Sequence, residues 1–197
     1  MTGRPRTVSD DEVFRAVADT VTEVGPAGLT LAAVARRAGL TAPALTQRFG
    51  SKRGLLVAFA TREAGSVTTV FDAARDRGAA PLEALRDGLV AFTAPITTRE
   101  GMANNLAFLQ LDLTDDELHT YSATQSRALR AQLAELLEEA AAAGDVRAAD
   151  PAALVDIVYA VYAGAQLTWA IDGTGELGTW LARHIDKVLA PHRPGRP

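Results

Sequence analysis

Within LTLAAVARRAGLTAPALTQRF, residues 29–49, a small residue, a glycine and a leucine stand at telling distances: Ala35, Gly39 four later, and Leu45 six after that. Two short helices joined by a tight turn need this spacing. Where they cross, only a small side chain such as Ala35 lets the backbones approach. Gly39 supplies the left-handed residue that ends the first helix. Leu45 plugs the core beneath the second helix. Leu31, Val34 and Leu40 complete the buried side. Paired short helices of this kind also occur inside helical bundles, so the spacing defines the local fold and leaves the partner open.

Charge narrows the partner. Residues 24–62 contain no Asp or Glu but hold Arg36, Arg37, Arg48, Lys52, Arg53 and Arg62. The whole chain is acidic, at net −4. Residues 1–62 carry nine basic and five acidic groups, and residues 63–197 carry 11 and 19. A basic end on an acidic body docks on phosphates with one face and is repelled from them elsewhere. Arg36 and Arg37 are as compatible with a solvated surface as with phosphate contact.

The rest of the chain reads as helices. Ser9 with Glu12 forms a capping box before Val13, Phe14, Val17, Val21 and Val24, and Gly25-Pro26 stops that helix. Thr30 caps Leu31–Ala38, and Thr41 caps Ala42–Arg48 with Pro43 in its first turn. A fourth helix is expected from Lys52 to about Phe71, followed by a linker at 75–80. Pro81 starts a helix that ends near Pro95, and residues 99–112 form the next. Thr114 with Glu117 is expected to cap a long helix closed by Gly144. Asp150-Pro151 starts a strongly apolar helix closed by Gly173, and a last one spans about 176–190. No stretch alternates as a strand does. The expected fold class is all-α, with about nine helices: an arm and helix-turn-helix domain over 1–50 and a larger helical domain over 51–197.

The third helix presents Thr41, Ala42, Pro43, Ala44, Thr46, Gln47 and Arg48, which are short or polar and suit a major groove. Gln47 can pair with adenine and Arg48 with guanine or phosphate, each such pair worth roughly 1–3 kcal/mol of discrimination. Methyls of Ala42, Ala44 and Thr46 suit thymine methyls. Thr30, Thr41 and Lys52 stand at helix N-termini, where backbone N–H groups already favour phosphate. Arg4 and Arg6 are placed to act as a minor-groove arm.

LTLAAVARRAGLTAPALTQRFGSKRGLL resembles the N-terminal DNA-binding segment of TetR-family transcriptional regulators. The residues that carry the likeness are Thr30, Ala35, Ala38, Gly39, Leu40, Thr41, Leu45, Phe49, Ser51, Lys52, Leu55 and Leu56. The recognition helix departs from the family pattern. Pro43, Ala44, Thr46, Gln47 and Arg48 replace the usual small pair, Leu-Tyr and aromatic or His, so an aromatic phosphate contact is missing at Thr46. The resemblance implies a homodimeric repressor of a double-stranded DNA operator, released by a small-molecule effector. It also implies a four-helix dimer interface from the last two helices, about 151–190. The apolar helix there agrees, having more apolar surface than one core requires. A buried central helix of a monomer is the competing reading.

Candidate effector contacts combine aromatics with uncharged polar groups: Phe92, Asn105, Phe108, Leu109, Tyr121, Gln125, Tyr162, Gln166 and Trp169. Each is also an ordinary core or interface residue type. With no cationic cluster among them, the expected effector is small, largely apolar, and uncharged or weakly charged. No catalytic residues, metal site or cofactor are expected. His119, His184 and His192 lack metal-ligand spacing, and there is no cysteine. The longest uncharged apolar stretch, 157–171, is short for a membrane span. A cytoplasmic protein without membrane contact is the expectation. A constitutive binder or activator, and a helical protein–protein adaptor, remain alternatives.

Overall fold

The computed structural model describes residues 8–194. Arg4 and Arg6, the expected arm, lie outside them. Among the described residues there are nine α-helices and no strand. They are α1 (Asp10–Gly28), α2 (Leu31–Ala38), α3 (Ala42–Phe49), α4 (Lys52–Arg75), α5 (Pro81–Thr93), α6 (Arg99–Thr114), α7 (Asp116–Ala142), α8 (Pro151–Asp172) and α9 (Leu177–Leu189). A 3-10 turn, Ala190–His192, follows.

Local chemistry sets most helix ends. The Ser9 hydroxyl accepts from the Glu12 amide at 3.2 Å while the Glu12 carboxylate accepts from the Ser9 amide at 2.9 Å. Thr30, Thr41, Ser51 and Thr98 each accept from the amide three residues on. Gly39 closes α2 at φ +71°, and its neighbour Leu40 donates to the Ala35 carbonyl at 2.8 Å. α1 ends in two steps. Gly25 breaks it at φ +68° and Pro26 opens one further turn to Gly28.

Two expectations change. The cap of α7 is Asp115, whose carboxylate accepts from the Glu117 and Leu118 amides, whereas Thr114 ends α6. A carboxylate there both caps and matches the helix dipole, which a threonine cannot do. α4 runs four residues past Phe71, to Arg75. Arg75 donates to Gln132 at 2.8 Å and faces Glu135 and Glu139 on α7, so side-chain pairing extends the helix.

Three apolar clusters result. One joins α1–α3 to the start of α4, around Val17, Leu29, Val34, Ala35, Leu45, Leu55 and Phe59. The largest joins the end of α4 to α5, α7, α8 and α9, around Phe71, Leu85, Leu133, Leu136, Val158, Leu181 and Ile185. A small third one gathers Ile96, Met102, Trp169 and Leu177. α4 is thus a continuous rod with its first half in the head and its second half in the body. α1 also lies along α6, giving the head a second mooring.

Candidate nucleic-acid interface

The recognition helix is held from beneath and bare on top. Leu45 is fully buried and Ala35 nearly so, as their spacing requires. On the outer side Thr41, Pro43, Thr46, Gln47 and Arg48 are exposed, and Ala42 and Ala44 are half-buried. Thr30 is exposed at the start of α2. The hydroxyls of Thr30 and Thr41 cap their helices as acceptors, which leaves their protons free to donate outward. Thr46 donates its hydroxyl proton to the Ala42 carbonyl at 3.1 Å, within α3 itself. Among the described residues, Gln47 is left as the longest uncommitted polar side chain on this face.

The cations of the acid-free window are mostly engaged within the chain. Arg37 pairs with Asp19 and Glu23 of α1. Arg48 donates to the Val8 carbonyl at 2.9 Å and pairs with Asp10, so it lies along the start of α1. Lys52 donates to the Pro26 carbonyl at 2.7 Å. Nη2 of Arg53 donates to both Asp115 oxygens at 2.9 Å, and its Nη1 donates to Glu117. Arg62 binds Asp11 at 2.9 Å. Among the described residues, Arg36 alone of the six has neither a carboxylate nor a carbonyl partner, and it is exposed. Hydrogen bonds from Leu118 and Arg53 hold Asp115 below the ordinary carboxylate range, the backbone bond being the larger cause. The exposed ion pairs among these are weak because water screens them, and phosphates compete with them readily.

The nine candidate effector residues do not converge. Phe108, Tyr121 and Gln125 come together around a cavity of about 170 Å³ between α4, α6 and α7. Phe108 meets Phe59 edge-on at 6.0 Å between centroids. Asn105 instead faces the head, donating to Thr22 Oγ1 at 3.2 Å and to the Gly101 carbonyl at 2.8 Å. Phe92 packs on Phe71 in the body core. Gln166 donates to the Tyr162 carbonyl at 3.1 Å, and burial pushes the Tyr162 phenol up to about 12. Trp169 is buried and donates to the Gly175 carbonyl at 3.1 Å. Leu109 is exposed.

The sequence reading missed Glu63 and Asp112, which share the small cavity with Phe108 and Tyr121. Burial raises both carboxyls, that of Asp112 to about 6, and one Asp112 oxygen is buried without a partner. Asp112 stands one turn after Phe108 on α6, a signal that was available. It also missed Asn104, whose amide donates to the Thr22 carbonyl at 3.0 Å and fastens α6 to α1.

An all-helical chain with an exposed, capped recognition helix on a two-helix turn defines a helix-turn-helix protein. The family model for bacterial regulatory proteins of the tetR family matches residues 15–59. The head is therefore a TetR-family domain, and the chain as a whole has the fold of TetR-family regulators. A TetR regulator from Streptomyces coelicolor is 22% identical, with 95% of this chain and 100% of that one covered at a TM-score of 0.68. One from Haloarcula marismortui is 16% identical, with coverage of 94% and 98% and a TM-score of 0.70. SmeT, the repressor of the Stenotrophomonas maltophilia multidrug efflux pump SmeDEF, is 19% identical, with coverage of 94% and 91% and a TM-score of 0.65. No curated protein matches the chain in sequence.

Proposed function

We propose that this protein is a homodimeric transcriptional repressor that binds a double-stranded DNA operator through residues 1–50 and is released by an effector held in residues 51–197. The observation that carries the reading is the exposed face of α3, built on a buried Leu45 and flanked by the capping hydroxyls of Thr30 and Thr41. Ala42, Pro43, Ala44, Thr46 and Gln47 enter the major groove. Arg48 and Lys52 exchange their weak internal partners for phosphates.

Two observations support a dimer through 151–190. α8 leaves Ile157, Leu167 and Ile171 exposed, although it is apolar and long enough to cross a membrane by length and composition. Beside them, Ile157, Val161, Gly164 and Trp180 line a shallow apolar cleft where α8 meets α9. A second copy laid on this surface buries these side chains.

The effector works by population shift. The head is moored to the body by α4 and by the α1–α6 contact, where Asn104 and Asn105 hold Thr22. A ligand entering the cavity of Phe108, Tyr121 and Gln125 presses on α4 and α6 together. It therefore changes the angle of the head, and effector and operator oppose each other's binding. Gel shift against the region upstream of the chain's own gene tests the reading. Salt-sensitive retardation, weakened by Lys52→Ala and Gln47→Ala, is expected. Absence of retardation with every such fragment sinks it.

A further inference from the structure

A cavity of about 710 Å³ is separate from the effector cavity described above. It opens where the last turn of α1 and the start of α4 meet the corner between α6 and α7. Pro26 lies on the head side, Leu56 on α4, Ala107 and Leu111 on α6, and Leu118 on α7. Leu56 and Leu118 are almost wholly buried, so the floor is apolar.

The rim is charged, and unequally so. Arg53 on the rim is held by two carboxylates, Asp115 of the same rim at 2.9 Å and Glu117 beyond it. Lys52 is half-buried, and among the described residues its ammonium meets only the neutral carbonyl of Pro26. Lys52 is thus the rim cation without a carboxylate partner among the described residues, and it stands beside an apolar floor. Asp115 on the same rim disfavours a dianion, and the Lys52 ammonium disfavours a cation. Small-molecule sites combine this kind of apolar wall with a few placed polar groups.

We propose that this cavity binds an amphipathic monocarboxylate, with the carboxylate on Lys52 and the hydrocarbon along Leu56, Leu111 and Leu118. The ligand bridges head and body, and it takes Lys52 away from any phosphate. Binding itself stands apart from the functional reading, whereas its antagonism with DNA rests on that reading.

Isothermal titration of the full chain with decanoate, and with decan-1-ol as the uncharged control, is the test. Saturable decanoate binding is expected. Lys52→Gln should weaken it about tenfold, the loss of one partly desolvated charge contact, and Ala107→Trp should abolish it by filling the cavity from an exposed position. Decan-1-ol should bind no better to wild type than to Lys52→Gln. No decanoate binding, or equal binding by Ala107→Trp, overturns the proposal. In a parallel gel shift, decanoate should release DNA from wild type and leave the Ala107→Trp complex intact. Decanoate binding that leaves wild-type retardation unchanged overturns the antagonism. Absence of any retardation alongside intact decanoate binding counts against the DNA reading alone.

Discussion

Asp112 is the most exacting place to test the packing between head and body. Its carboxyl sits among Phe59, Phe108 and Tyr121, with one oxygen buried and unpartnered. Burial, and secondarily the charge of Asp115, raises it from 3.8 to about 6. Glu63, across the cavity on α4, is raised as well, with Arg62 partly opposing. The folded protein therefore holds the Asp112 proton more tightly than the unfolded chain. Stability from this group is fully present below about pH 4 and is lost as pH rises through about 6. The rise corresponds to at most about 3 kcal/mol. Asp112 is only half-buried, and solvent screening reduces the figure to about 1 kcal/mol. Asp112→Asn keeps the shape and removes the charge. It should stabilise the protein by about 1 kcal/mol at about pH 8, a rise in Tm of roughly 2–4 °C for a chain of this size. The gain should shrink as pH falls and vanish below about pH 4, where the folded and the unfolded wild-type chains are both protonated. Urea denaturation at both pH values reads the difference. A variant less stable than wild type at about pH 8, or a gain that does not change with pH, would refute the argument.

Other expectations follow from packing and assembly. Leu45→Ala empties a fully buried site under the recognition helix and should cost roughly 2–5 kcal/mol in urea denaturation. Gly88→Ala pushes a methyl into the ring of Phe71, whose Cζ lies 3.0 Å from the new Cβ; a loss of about 1–3 kcal/mol is expected in the same assay. Ile157→Lys, on the exposed face of α8, should shift sedimentation from a dimer of two 20.7 kDa chains towards monomer without loss of helical circular dichroism.

The head was legible because its determinants are local. Ser9, Thr30, Thr41 and Gly39 act through hydrogen bonds or turns within a few residues, so spacing alone describes them. The fate of the basic window was not legible. Arg37 meets Glu23 fourteen residues away, and Arg53 meets Glu117 sixty-four away, pairings that only tertiary packing decides. The same limit scattered the effector candidates. Periodicity puts Asn105 and Phe108 on related faces of α6. It does not reveal that one turns to Thr22 on α1 and the other to Phe59 on α4. Asp115 displaced Thr114 as a cap because two neighbouring residues could both serve, and the better acceptor won.

Fluorescence anisotropy of a labelled upstream fragment across a salt series tests the central claim most directly. Affinity should fall linearly in log–log form with salt, by a slope set by the phosphates engaged. Lys52→Ala should lower that slope by about one, and Gln47→Ala should cost roughly 1–3 kcal/mol with the slope unchanged. Binding that ignores salt, or a Gln47→Ala protein that binds as tightly as wild type, would contradict a DNA-reading role for the exposed face of α3.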